Sequence, residues 1–175
     1  MQGQNLSGNR LRLACGLALA LAVGNLAAPM DQEFLNYPGD PPLESTAKAP
    51  RMDTRFAREY RTQLREAAEK GPDFGGRYAL ASWGCGTNCL ELALIDLSIG
   101  KVHETAASTL PGCLVPRLSE GKPAVWADYR LDSRLLYLYP CQLDNPCQGE
   151  DEIRRDAYLW NGKRFEMLKT ECLKP

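Results

Sequence analysis

At 175 residues, with 44% apolar and 25% charged side chains, the chain is long enough for one hydrophobic core and too apolar to remain disordered. Its 21 basic and 22 acidic residues leave a formal net charge of −1, with no basic excess to neutralise a phosphate backbone. That balance disfavours nucleic acid as a partner.

The chain opens with Arg10 and Arg12, followed by a Leu/Ala-rich run over residues 13–24. A basic flank and an apolar stretch of this length read as a secretory signal peptide; about 20 residues would be needed to span a bilayer. Small residues follow, and cleavage is expected after Gly24 or near Ala28, so that residues 1–28 form the leader and no membrane span remains. Removal of the leader takes away two arginines and no acid, leaving a mildly acidic chain.

Residues 29–52 hold Pro29, Pro38, Pro41, Pro42 and Pro50, and are expected to form an extended lead-in to a single domain over 53–175. Next, DTRFAREYRTQLREAAEK, residues 53–70, predicts an amphipathic helix. Asp53 or Thr54 can cap it, Phe56, Tyr60, Leu64 and Ala67/Ala68 form one stripe, and Gly71-Pro72 ends it. The stripe suits packing on the domain's own sheet better than a partner.

Beyond Gly71 the apolar period changes to two. Strands are expected over 77–83 and 90–96, with a turn over 96–101 and a return strand from Val102. Residues 105–123, with three prolines and two glycines, read as a long loop. Two strands flank Leu131-Asp132-Ser133, and DAYLW and KRFEML flank Asn161-Gly162 as a hairpin with a type I′ turn. The fold class is α+β: one N-terminal amphipathic helix on an antiparallel meander of about six or seven short strands, stapled by disulfides.

The staple rests on the cysteines. Once Cys15 leaves with the leader, Cys85, Cys89, Cys113, Cys141, Cys147 and Cys172 remain, an even number that suits an oxidising compartment. Small loops closed by Cys85–Cys89 and Cys141–Cys147, with Cys113–Cys172 tying the long loop to the C-terminus, make one of 15 possible arrangements. In SWGCGTNC, residues 82–89, three residues separate the two cysteines, and a strand pattern comes next rather than the helix that would lower a thiol pKa. Thiol–disulfide exchange at Cys85/Cys89 is therefore the alternative to a structural bridge. A zinc site is disfavoured, because the spacings are unlike zinc motifs and His103 is the one histidine.

His103 comes after a turn and reads as a surface residue with no nucleophile assigned to it. Glu150-Asp151-Glu152 reads as a solvated charge run rather than a calcium loop. Gly75-Gly76 precedes a strand, so it is no phosphate loop. Aromatic residues crowd the strands. Trp83, Trp126, Tyr129 and Trp160 are candidates for a binding surface, although most such residues are expected in the core.

The run PDFGGRYALASWGCGTNCLELALIDLSIGKV resembles a group of small exported bacterial proteins. They share F-x-G-x-Y, then WGCG-x-x-C, an apolar strand, and D-x-x-x-G-K-V. DSRLLYLY and YLWNGKRFEML also look like theirs, and the resemblance covers roughly residues 56–168. It implies a periplasmic address and a shared fold, and carries over no catalytic residue. The expectation is an exported, non-enzymatic, inhibitor-like binding domain without cofactor or metal, its partner another envelope or secreted protein. A purely structural envelope protein is the other non-enzymatic possibility.

Overall fold

A computed structural model describes residues 29–86, 89–105, 127–140, 147 and 152–174. In chain order its elements are α1 (Pro29–Leu35), α2 (Arg55–Glu59), α3 (Arg61–Glu69), β1 (Tyr78–Gly86), β2 (Cys89–Asp96), β3 (Lys101–Glu104), β4 (Ala127–Tyr129), β5 (Leu135–Leu138), β6 (Ile153–Trp160) and β7 (Phe165–Leu173). The proposed leader, most of the 105–123 loop, Cys113, Trp126, Cys141, Glu150 and Asp151 lie outside the described residues.

The strands are antiparallel throughout, as the alternation predicts, but they divide into two sheets. These are ordered β1-β2-β3 and β4-β5-β6-β7. Period-two alternation places large side chains between the sheets: Tyr78 and Leu80 of β1, Leu92 and Leu94 of β2, Leu136 and Leu138 of β5, with Phe74, Trp160 and Phe165. The intervening residues are buried too, because each sheet is covered on its outer face. Ala79, Ala81, Ala93 and Ile95 lie beneath α2 and α3. Leu135, Tyr137 and Ala157 lie with Phe34 of α1. Small residues under the helices and large ones between the sheets explain why β1 and β2 are buried on both faces.

Thr54 caps α2, its Oγ1 accepting from the Ala57 amide at 3.0 Å. The expected helix is interrupted at Tyr60, whose φ of −100° and ψ of 26° depart from helical values. The interruption accompanies an aromatic cluster: the Tyr60 ring lies 4.6 Å and the Phe56 ring 6.0 Å from that of Trp83 on β1. Ala57 and Leu64 are fully buried, so the stripe packs on the domain's own sheet.

The lead-in is not extended throughout. Residues 29–35 are helical, and Phe34 is 1% exposed beneath the Arg130 guanidinium, edge-on to Tyr137 at 5.4 Å. One buried aromatic anchors this short helix against the proline bias around it. Residues 37–43 then run between two turns. Gly39 N–H donates to Asp132 O at 2.8 Å, Asp40 N–H to Gly75 O at 3.0 Å and Leu43 N–H to Gly76 O at 3.2 Å. The stretch expected to be a lead-in thus joins the two sheets.

The last hairpin forms as expected, with a different turn. Trp160 pairs with Phe165, leaving a four-residue connection. Asn161 Oδ1 accepts from the Lys163 and Arg164 amides, both at 2.9 Å. The side chain of Asn161 therefore shapes the turn that a type I′ pair was expected to make.

Candidate functional site

Two of the four aromatic candidates, Trp83 and Tyr129, line one trough along the edge of β1. This strand is the outermost of its sheet, and its backbone alternates in where it points. Tyr78 exchanges hydrogen bonds with Phe74, and the Leu80 N–H donates to Asp73 Oδ1 at 2.8 Å. Residues 78, 80, 82 and 84 therefore direct their backbone groups away from β2. Tyr78 and the Leu80 amide are satisfied locally. Ser82 and Gly84, both exposed, have outward N–H and C=O groups without a partner among the described residues.

Beside this edge lies a trough of about 350 Å³. Leu80, Ala81 and Trp83 contribute from β1 and Tyr129 from β4, while Gln63, Glu66 and Lys70 in and just after α3 form a polar rim. Trp83 is fixed by the Phe56/Tyr60 cluster and by its indole N–H, which donates to Glu91 Oε2 at 3.0 Å. Tyr129 is fixed by its hydroxyl, which donates to Asp73 Oδ2 at 3.2 Å. Burial pushes the Tyr129 phenol up to about 12, helped by the Asp73 charge, so it remains a donor at neutral pH.

Asp73 connects the strand edge to the trough. Burial raises its carboxyl pKa above the ordinary value, outweighing the hydrogen bonds from Leu80 and Tyr129. A carboxyl with a raised folded pKa contributes stability below its unfolded pKa and loses it as pH rises through the folded value. Asp73→Asn, which keeps an acceptor for the Leu80 amide, is expected to flatten the fall in stability over the pH range just above the ordinary carboxylate pKa. Urea midpoints across that range measure the effect, and an unchanged slope would assign the fall to other groups.

Trp160 is not part of a surface. It is 0% exposed, between Tyr78, Phe165 and His103. Trp126 lies outside the described residues. His103, expected at the surface, is half-buried with its ring 5.0 Å from that of Trp160.

The cysteines pair differently from the expected scheme. Cys147 is bonded to Cys172, with Cα atoms 5.6 Å apart. This excludes both Cys141–Cys147 and Cys113–Cys172. The bridge ties the segment before β6 to the end of β7, the two longest-paired strands of the second sheet. Glu152 lies beside these sulfurs, but sulfurs bonded to each other offer no thiolate to a metal. Cys85 is also in a disulfide. It occupies a β-bulge, since Gly84 pairs with Leu90 and Gly86 with Cys89, and Gly86 takes a φ of 140°. Gly86 thus supplies the backbone freedom that the bend beside Cys85 requires. β1 leads directly into this exposed cysteine, so no helix N-terminus at its position lowers a thiol pKa.

Compared with protein-family models, curated proteins and solved structures, the chain matches none. Among the described residues, no helix is long and apolar enough to cross a membrane.

Proposed function

We propose that the protein is an exported, disulfide-stapled, non-enzymatic binding domain that takes an extended segment of another envelope or secreted protein along β1. The observation that carries this reading is the open edge at Ser82 and Gly84, flanked by two immobilised aromatics. Backbone groups of an added strand would pair with the edge, while Trp83 and Tyr129 receive its side chains. Rigid aromatics suit this role because little side-chain freedom is lost on binding.

Export rests on the basic flank and apolar run near the N-terminus, and a disulfide is compatible with it. Helix α1 begins at Pro29, downstream of both expected cleavage points, so processing at either one leaves the described domain whole. Membership of the exported group with the WGCG-x-x-C motif belongs to the same proposal.

A photo-crosslinker at position 82, introduced in the periplasm, tests the site and the address together. A discrete adduct is expected, on a chain whose mass starts near residue 25 or 29. Trp83→Ala should weaken capture by about tenfold or more, the usual effect of removing a buried aromatic anchor. Ser82→Pro supplies the second arm. It removes an outward N–H that has no partner within the described fold, so the domain should fold while strand addition is lost. Capture unaffected by Ser82→Pro would overturn the edge-strand reading.

A further inference from the structure

The turns at one end of the sandwich enclose a second cleft, of about 290 Å³. Its charged lining comes from Asp40, Arg77, Asp96, Lys101, His103 and Arg134. The two carboxylates are already engaged. Arg77 Nε lies 3.3 Å from Asp96 Oδ2, and Arg77 NH1 lies 3.3 Å from Asp40 Oδ2. Asp40 also accepts from the Tyr78 hydroxyl at 3.1 Å, and Asp96 Oδ1 accepts from the Ser98 amide at 3.0 Å.

Two cations are not so engaged. Arg134 donates from Nε to Pro38 O at 2.9 Å, leaving both terminal nitrogens without a partner among the described residues. Lys101 is exposed and has no ion-pair partner among them. His103, half-buried against Trp160, lines the same cleft. Arg77, Lys101 and Arg134 outnumber Asp40 and Asp96 by a single charge.

These groups stand on clamped backbone. The turn before Lys101 is held by Lys48 N–H on Leu97 O at 2.8 Å and Arg51 N–H on Gly100 O at 2.7 Å. A Cβ on Gly100 would lie 2.3 Å from Ala49 O, so the segment 48–51 sits tightly against that turn. Arg134 N–H is in turn held by Tyr37 O at 2.9 Å. Backbone fixed before a ligand arrives needs little ordering when it binds.

We propose that this cleft binds a small carboxylate between Lys101, His103 and Arg134. The single-charge excess matches a monoanionic group. A dianion would leave an unmatched negative charge beside Asp40 and Asp96 while His103 is neutral. A bound carboxylate also favours the protonated imidazole. Burial, and then Lys101, holds His103 below its ordinary pKa, with Asp96 opposing. The other ionisable groups facing the cleft are Asp40, Arg77, Tyr78 and Arg134, beside Asp96 and Lys101. Affinity should therefore rise as pH falls from about 7.5 to about 6.

Titration of the full mature chain with acetate and lactate, both monoanions, followed by NMR at the His103 ring and the Trp160 indole, tests the proposal. A saturable shift is expected, tighter at about pH 6 than at about pH 7.5. Lys101→Met should weaken it by about tenfold, as expected for loss of a charge-assisted contact, without altering the fold. No saturable shift, an equal response to chloride at matched ionic strength, or unchanged affinity in Lys101→Met would overturn the site. Tighter binding of inorganic phosphate than of either carboxylate would overturn the ligand class.

Discussion

Gly76→Ala is expected to cost more than about 3 kcal/mol, enough to unfold a domain of ordinary stability. Gly76 has φ +90°, and a Cβ there would lie 2.0 Å from the Asp40 carbonyl oxygen. The obstacle is backbone, held on both sides by the hydrogen bonds of residues 39–43, so a side-chain rotation cannot relieve it. Gly71 supplies the control. Its φ of +86° is similar, but a Cβ at that position would meet nothing within 4 Å. Gly71→Ala should therefore cost only about 1 kcal/mol, the conformational penalty alone. Urea unfolding of the two variants separates steric from conformational cost. Equal losses would show that residues 37–43 yield readily at this crossing.

Trp160→Ala is expected to cost about 3–5 kcal/mol, the range for truncating a buried aromatic. Its ring touches three others, those of Tyr78, His103 and Phe165, at centroid distances of 5.7, 5.0 and 5.2 Å. The void would open where β6 of the second sheet faces β1 of the first. Trp83→Ala should cost distinctly less, because that ring is only partly buried. Denaturation midpoints, with near-ultraviolet dichroism to track aromatic packing, compare the pair. A Trp83→Ala loss equal to that of Trp160→Ala would make Trp83 a core residue and remove the aromatic wall from the proposed site.

The strands were legible because alternation and turn residues act locally. LELALID became β2 and the Asn161 turn joined β6 to β7, each within a few residues of its expected place. The division into two sheets was not legible, since nothing in the order of strands marks β3 as the last member of the first sheet. Helix α1 was hidden by neighbouring prolines, because its anchor is a single phenylalanine whose pocket is built about a hundred residues later. Disulfide partners depend on that same long-range geometry, and short loops were a poor guide to Cys147. The trough escaped for a related reason. Trp83 and Tyr129 were visible as candidates, yet only the packing of β4 near Asp73 brings them to one place. Asp73 itself carries no sequence signal beyond its position before the turn.

The clasp around residues 34–40 also bears on the order of events during synthesis. Ser133 Oγ lies within hydrogen-bond reach of Phe34 O at 3.0 Å and Tyr37 O at 2.8 Å, and Arg134 Nε donates to Pro38 O, across separations of 99, 96 and 96 residues. A chain emerging from its N-terminus presents α1 long before its receptor exists. Native closure must wait for most of the polypeptide, which places this domain among slow, late-committing folders. Until then this early segment lacks its native partners, and it stays available to chaperones and to proteases alike.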